Sequence, residues 1–135
     1  MTIPEEVWRE LSRLNHSEAR AAISGARAEG WINVLSLGTD QILSFQPPLD
    51  PGETAAISLA KSIRADLLLI DEIKGRSAAR IQGLRVAGLL GDLLYAKHHG
   101  IVISLEDEIT RLKQAAGFFI KSDLEQYLLR EAGER

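Results

Sequence analysis

Two patterns of apolar residues divide the chain into helices and strands. Helical spacing of apolar positions predicts amphipathic helices. The predicted helices span residues 4–15, 17–29, 50–64, 75–82, 89–99 and 104–117, and a last helix is predicted to begin at Ser122 or Asp123. Short runs of β-branched, aromatic and leucine residues predict strands. The predicted strands span residues 1–3, 31–36, 67–70 and 84–87. Because helices and strands alternate with short links, the pattern predicts an α/β fold with a parallel sheet.

Residues 49–76 are the stretch around which the rest of the chain is organised. Asp50, Pro51 and Glu53 supply an N-cap, a proline at the first helical position and an acid at the third. The strand at 67–70 is an unbroken apolar run, which is typical of a strand covered on both faces. It ends on Asp71 and Glu72, at the sheet edge where open α/β folds bind their ligands.

The same pattern predicts which residues cap the helices and which point inward. Hydroxyl caps are expected at Ser17 and Ser104. The predicted inward-facing residues are Val7, Leu11, Leu14, Ile57, Ala60, Ile63, Leu105, Ile109, Leu112, Leu124, Tyr127 and Leu128. Four aromatic residues are expected in the core rather than on a stacking surface: Trp8, Trp31, Phe118 and Phe119.

Composition limits the class of protein. A chain of 135 residues is the size of one domain and can bury roughly two-thirds of its unfolded surface. The absence of cysteine excludes disulfides and thiolate metal sites. A net charge of −3 argues against general coating of nucleic acid but allows a local basic site. The sequence shows no signal peptide and no apolar run that could span a bilayer, so we expect a cytoplasmic protein with no membrane partner.

Four acidic residues form the constellation with the clearest chemical meaning. Glu53 lies at a helix start on its apolar side, Asp71 and Glu72 end a strand, and Glu10 borders the apolar stripe of the first helix. Three elements could therefore bring carboxylates to one sheet edge, where they would suit Mg²⁺ or Mn²⁺. Such an ion can polarise a phosphodiester and activate water.

Each acidic residue also has a purely structural interpretation. Glu53 can be the third-position partner of a capping box, and Asp71 can start a turn. Glu72 and Glu10 can be solvated charges at an edge. Spacing alone leaves these alternatives open.

Basic residues gather in the middle of the chain although the whole is acidic. We expect Lys74 and Arg76, which lie beside the carboxylates, to contact a phosphate backbone. Arg80 and Arg85 fit a solvated helix face better. His98 and His99 lack a partner at metal-ligand spacing and fit the negative end of a helix.

The chain resembles a PIN-domain protein, in particular the bacterial and archaeal subfamily described as predicted nucleic-acid-binding proteins. The resemblance is carried by IPEEVWREL, LDPGETAAISLA, ADLLLIDEIKGRSAAR, GLRVAGLLGDLLYAKHHGIV and LKQAAGFFIKSDLEQYLL, which together span most of residues 3–129. It implies a single PIN-like domain over residues 1–135 with a three-layer α/β/α arrangement.

The resemblance also implies an activity, a cofactor and partners. Family members are metal-dependent ribonucleases, often the toxin of a toxin–antitoxin pair, with about four acidic residues around Mg²⁺ or Mn²⁺. Carried over by motif, the second acidic position falls on Glu10, the third on Glu53, and the fourth on Asp71 with Glu72 beside it. RNA and a cognate antitoxin protein are the implied partners.

The chain departs from the family pattern before IPEEVWREL. Family members carry there a strand that ends in the first metal-binding Asp, followed by a helix, whereas Met1 stands almost directly before this block. We therefore expect an N-terminally truncated PIN-like fold with weak or absent cleavage. We also expect two half-sheets with unpaired edges that rearrange or drive self-association, most simply as a dimer.

Two hypotheses of function follow. The first is a PIN-like metal-dependent ribonuclease that uses Glu10, Glu53 and Asp71. The second is a noncatalytic RNA-binding or protein-binding module on the same fold. A metal titration discriminates between them, because only the first needs the carboxylates to bind an ion.

Overall fold

A computed structural model describes residues 1–135, apart from the side chain of residue 116. The chain divides into two compact units, Met1–Val86 and Ala87–Arg135. The single domain expected from the sequence stays a prediction, and each unit is described by itself below.

The first unit contains short parallel strands and four helices among its described residues. Its elements are β1 (Thr2–Pro4), α1 (Glu5–Ser12), α2 (Ser17–Ala28), β2 (Asn33–Leu35), a 3₁₀ turn (Thr39–Gln41), α3 (Pro51–Ser62), β3 (Leu68–Leu69) and α4 (Ile73–Ile81). Strand β4 (Val86–Ala87) lies at the boundary. The predicted mixture of helices and parallel strands is confirmed.

Helix α3 begins where the sequence places its start. The Asp50 side chain accepts a hydrogen bond of 2.8 Å from the backbone N–H of Glu53, and Pro51 occupies the first helical position. Ala55, Ile57, Leu59 and Ala60 are buried along this helix, and α3 packs against α1, α4, β1 and β3. The helix is therefore the central support of the first unit.

The strands form two separate two-stranded sheets among the described residues. In one, β1 pairs with β2 in parallel, with Thr2 opposite Asn33 and Pro4 opposite Leu35. In the other, β3 pairs with β4, and the Leu68 N–H donates a 2.9 Å hydrogen bond to the Arg85 carbonyl. The expected half-sheets are thus present, and no described strand joins them.

The core of the first unit lies between α3, β3 and α4. Ile57, Ala60, Leu68, Ile70 and Ala79 are its buried members. The prediction that residues 67–70 are covered on both faces is wrong, because Leu67 and Leu69 are 46% and 44% exposed. Successive side chains of a strand point to opposite faces, so one face of β3 packs on the core and the other meets solvent.

Neither α1 nor α2 contains a buried residue. The expected inward stripe of α1 is therefore only half-buried, and Leu14 is exposed. The N-cap of α2 is His16 instead of Ser17, since the His16 Nδ1 accepts the Ala19 N–H at 3.1 Å. The guanidinium of Arg27 lies 4.4 Å from the Trp8 ring centroid and joins the two helices.

Two further predictions about inward-facing residues in the first unit are wrong. Trp31 is 70% exposed and Ile63 is 43% exposed. Trp31 follows α2, which ends at Ala28, and Ile63 follows Ser62, the last residue of α3. Beyond the end of a helix, neither the size of a side chain nor the helical spacing of apolar residues predicts whether that side chain is buried.

The second unit consists of three helices among its described residues: α5 (Leu89–His98), α6 (Leu105–Ala116) and α7 (Ser122–Glu131). Ser104 caps α6 as predicted, accepting the Asp107 N–H at 3.1 Å, and Gly117 ends it with a φ of 61°. Leu105, Ile109, Ile120, Leu128 and Leu129 form its core. Phe118 packs against that core.

Several aromatic and leucine positions of the second unit differ from expectation. Phe119, Leu124 and Tyr127 are exposed, whereas Leu129 is buried beside Leu128. The inner face of α7 is thus rotated by one residue relative to the predicted stripe. Within the described residues, no helix is long and apolar enough to cross a membrane.

Candidate metal and nucleic-acid site

Glu10 reaches the first turn of α3 from the neighbouring helix α1. A β-carbon placed on Gly52 would lie 2.6 Å from the Glu10 Oε1 and 3.2 Å from its Cδ. Gly52 is buried, whereas Glu10 is an exposed residue. The backbone N–H groups of a first turn favour negative charge, so this position suits the Glu10 carboxylate.

Glu53 extends from the same turn of α3 toward the first turn of α4. A β-carbon placed on Gly75 would lie 3.2 Å from the Glu53 Oε1 and 2.6 Å from the Ile70 Cδ1. Gly75 is buried, and Glu53 is half-buried. The carboxylate therefore lies between two helix starts, at the border of the hydrophobic core.

Asp71 and Glu72 connect β3 to α4. Glu72 is the N-cap residue of α4, with extended backbone angles, and its side chain forms no capping hydrogen bond. Both residues are exposed. The strand end predicted from the sequence thus delivers two carboxylates to the first turn of α4.

The electrostatic environment of Glu53 distinguishes it from its neighbours. Burial raises the pKa of the Glu53 carboxyl above its ordinary value of 4.5, and the nearby charges of Asp50 and Glu72 raise it further. The Asp50 backbone N–H opposes this by hydrogen bonding. Since the causes that raise the pKa prevail, the ionised carboxylate is in an unfavourable setting without a cation.

The four predicted carboxylates lie at two adjoining helix starts, but their side chains do not converge on one point. Glu10 and Glu53 meet the first turn of α3, whereas Glu53, Asp71 and Glu72 adjoin the first turn of α4. Within the described residues, no three His, Cys, Asp or Glu side chains are grouped closely enough to hold a metal ion. Glu53 is the residue common to both helix starts.

The two predicted phosphate contacts lie on different flanks of α4. Lys74 is exposed and Arg76 is half-buried. Two residues along an α-helix are about 200° apart around its axis, so one phosphate could not meet both cations from the same side. Lys74 shares its flank with Ser77 and Ala78, where they line a groove beside the loop at 44–49.

Sequence reasoning missed the residues that make room for the carboxylates. Gly52 and Gly75 permit the close approach of Glu10 and Glu53, and a glycine inside a helical pattern is a detectable sign of such packing. It identified Asp50 as a helix cap but missed the effect of Asp50 on the pKa of Glu53. The fourth omission is Glu6, whose Oε2 is buried without a hydrogen-bond partner in the described chain.

A family model described as a PIN domain matches residues 1–134. Comparison with curated proteins gave no match, and comparison with solved structures gave no match either. The mixed α/β structure with short parallel strands agrees with a PIN-like α/β/α fold, which is of the nucleic-acid-binding, nuclease type. The match covers nearly the whole chain, and the chain therefore belongs to the PIN-domain family.

Proposed function

We propose that this chain is a metal-dependent ribonuclease whose Glu10, Glu53, Asp71 and Glu72 side chains bind one Mg²⁺ or Mn²⁺ ion. The observation that carries the proposal is the position of Glu53. Its carboxyl is half-buried between two helix starts, and burial together with Asp50 and Glu72 raises its pKa. A divalent cation would reverse this unfavourable setting, because opposite charge favours the ionised form.

The donor set suits such an ion chemically. Carboxylate oxygens are the ligands that Mg²⁺ and Mn²⁺ prefer. The orphaned Oε2 of Glu6, one helical turn before Glu10, is a buried acceptor that lacks a donor in the described chain. Glu10 lies at the first turn of α3, where Glu53 also begins its side chain, and Asp71 and Glu72 lie at the start of α4.

Each carboxylate of the candidate site would have its own role in metal binding. Glu53 would fix the position of the ion, and Glu10, Asp71 and Glu72 would complete its oxygen shell. The bound ion would supply polarisation of a phosphodiester and activation of water. A bound ion would favour the ionised form of Glu53, because its positive charge opposes the rise in pKa that burial causes.

RNA would approach the carboxylates from the side of α4. Lys74 and Arg76 flank the helix start and would neutralise phosphates on its two sides. Reversing both charges should weaken binding of single-stranded RNA and flatten its dependence on salt, because fewer counterions are released. If RNA binding by the variant depended on salt as it does for the unaltered protein, Lys74 and Arg76 would not belong to the RNA interface.

The test of the proposal is metal-dependent cleavage with a matched pair of variants. Mn²⁺ binding is measured by calorimetry, and cleavage is measured on a fluorogenic single-stranded RNA. Glu53→Gln should weaken Mn²⁺ binding at least about tenfold, since it removes one oxygen ligand from a small site. Glu18→Gln, at an exposed position of α2, should behave as the unaltered protein. Equal Mn²⁺ affinity in both variants would reject the site.

The second candidate function is a noncatalytic RNA-binding or protein-binding module. It is favoured by the finding that no three candidate ligands are grouped for a metal among the described residues. A module of this kind should bind RNA without binding Mn²⁺ in the titration above. Mn²⁺ binding with RNA cleavage supports the ribonuclease instead.

The proposed partners follow from the same hypothesis. A toxin role predicts that expression of the chain slows cell growth, that Glu53→Gln relieves this effect, and that a cognate antitoxin protein suppresses it. A second copy of the chain is the other proposed partner, since Leu67 and Leu69 leave one face of β3 apolar and exposed. Location in the cytoplasm stays a prediction.

A further inference from the structure

A groove runs along the first unit between the loop at residues 44–49 and the outer side of α4. Its volume is about 410 Å³, which falls within the range of small-ligand sites. Ile73, Ser77 and Ile81 form its helical wall at intervals of four residues. Ile73 and Ile81 are 70% and 83% exposed, so the wall is apolar and open to solvent.

The opposite wall combines an aromatic ring with polar groups. Phe45 packs against the core of the first unit and also lines the groove. Ser44 and Gln46 lie beside it, and no hydrogen bond within the described chain occupies either side chain. Aromatic rings that stack on bases, with free amides that bond to base edges, are the groups that proteins use to recognise single-stranded RNA.

The two ends of the groove differ in charge and in hydrogen bonding. Lys74 lies at the end near Glu72, which is the N-cap of α4. At the other end, Gln82 already accepts a 2.6 Å hydrogen bond from the Lys61 ammonium. Because its oxygen is already engaged, the side-chain NH₂ group of Gln82 is the part that can donate a hydrogen bond to a ligand. The cation of Lys74 complements a phosphate close to the carboxylates of the candidate metal site.

From these features we propose that the groove binds one nucleobase of a single-stranded RNA whose phosphate is contacted by Lys74. Phe45 and the isoleucines of α4 hold the faces of the base, and Gln46 and Gln82 read its edge. This inference rests on the proposed RNA function and adds a specificity subsite to it. It gives the enzyme a preference for one nucleotide near the cleaved bond.

The experiment measures binding in EDTA, so its outcome is independent of metal binding and cleavage. Fluorescence anisotropy compares labelled pentamers of adenosine, cytidine and uridine with an abasic pentamer of the same backbone. The unaltered protein should bind at least one of the three about tenfold more tightly than the abasic chain, because stacking of a base contributes on that scale. It should also distinguish among the three bases.

Two variants and a control identify the groove as the source of that preference. Ser77→Phe fills the groove from an exposed position and should abolish the advantage over the abasic pentamer while leaving abasic binding unchanged. Gln46→Ala should keep the advantage but narrow the differences among the three bases. Ala22→Phe adds an aromatic ring to an exposed position of α2 outside the groove and should change nothing.

Either of two results would overturn the proposal. The first is equal binding of the abasic pentamer and the three RNAs by the unaltered protein. The second is a Ser77→Phe variant that binds all four as the unaltered protein does, which is the outcome expected if the groove receives a protein partner instead of a base.

Discussion

The carboxylate of Glu10 lies beside Gly52, so close that a β-carbon at Gly52 would stand 2.6 Å from the Glu10 Oε1. The two residues belong to α1 and α3, which pack against each other. The absence of a side chain at Gly52 therefore leaves room for the Glu10 carboxylate at the first turn of α3.

We predict that Gly52→Ala will weaken Mn²⁺ binding without lowering the stability of the fold. The new methyl group displaces only the flexible end of an exposed glutamate, and alanine is favoured over glycine in a helix by about 0.5 kcal/mol. Urea denaturation should therefore show unchanged or slightly higher stability, whereas Mn²⁺ affinity should fall. Gly91→Ala is the control, since a β-carbon there meets nothing within 4 Å; it should leave Mn²⁺ binding intact. A Gly52→Ala variant with full Mn²⁺ affinity would remove Glu10 from the site.

Gly75→Ala should destabilise the protein, in contrast to Gly52→Ala. Its β-carbon would lie 2.6 Å from the Cδ1 of Ile70, which is only 9% exposed. Overpacking of a core costs about 1–3 kcal/mol. Ile70→Val removes that Cδ1, so the double variant should be more stable than the sum of the two single effects predicts. Strict additivity in urea denaturation would show that the two positions do not touch.

The raised pKa of Glu53 predicts how stability depends on pH. A pKa raised in the folded state means that this group stabilises the fold below its ordinary value of 4.5 and loses that contribution as pH rises through the folded value. At pH 7 without metal, Glu53→Gln should therefore melt at the same or a higher temperature than the unaltered protein. Mn²⁺ should raise the melting temperature of the unaltered protein more than that of the variant. A lower melting temperature for Glu53→Gln in EDTA would contradict the argument.

The lowered pKa of Glu134 leads us to expect the opposite dependence of stability on pH in the second unit. Burial alone would raise its pKa, but a hydrogen bond from Lys97 and those from the Leu105 and Glu106 backbone N–H groups lower it to about 2. The three donor–acceptor distances are 2.9, 2.7 and 2.9 Å. The ionised Glu134 therefore stabilises the folded state. This stabilisation is fully present above the ordinary pKa of 4.5 and is lost as the pH falls toward 2.

Replacement of Glu134 tests that contribution directly. Glu134→Gln should destabilise the protein by about 1–2 kcal/mol at pH 7, because charge-assisted hydrogen bonds are stronger than neutral ones. The difference from the unaltered protein should shrink as the pH falls below 4.5. Glu131→Gln, at an exposed position of α7, is the matched control in urea denaturation, and equal stability of both variants at pH 7 would contradict the prediction.

Because the strands form two separate sheets, we predict that two copies of the chain associate. The β3 edge and the exposed Leu67 and Leu69 side chains offer an apolar surface for pairing with another copy. Light scattering at tens of micromolar should give the mass of a dimer, and Leu69→Lys should shift it toward the monomer. Arg64→Glu changes a charge at an exposed position before this strand and should leave the dimer intact. A monomer in every case would reject this surface.

Local chemistry made part of the candidate site predictable. Asp50 and Pro51 start α3, and the apolar run that ends at Asp71 delivers Asp71 and Glu72 to the next helix. These features depend on hydrogen bonds and conformational preferences within a few residues, which the sequence displays directly. The contact of Glu53 with Gly75 was not predictable, because it joins two helices whose relative position depends on packing.

The sequence by itself determined the helix starts at Asp50 and Ser104, the α/β character of the chain and the candidate carboxylates. Only the tertiary structure decided that Trp31 and Phe119 are exposed and that the strands form two sheets. It also decided that Glu134 binds the start of α6, 29 residues earlier in the chain. The physical reason is the range of the interaction: a cap is settled by neighbours in sequence, whereas burial and distant hydrogen bonds depend on which surfaces the folded chain brings together.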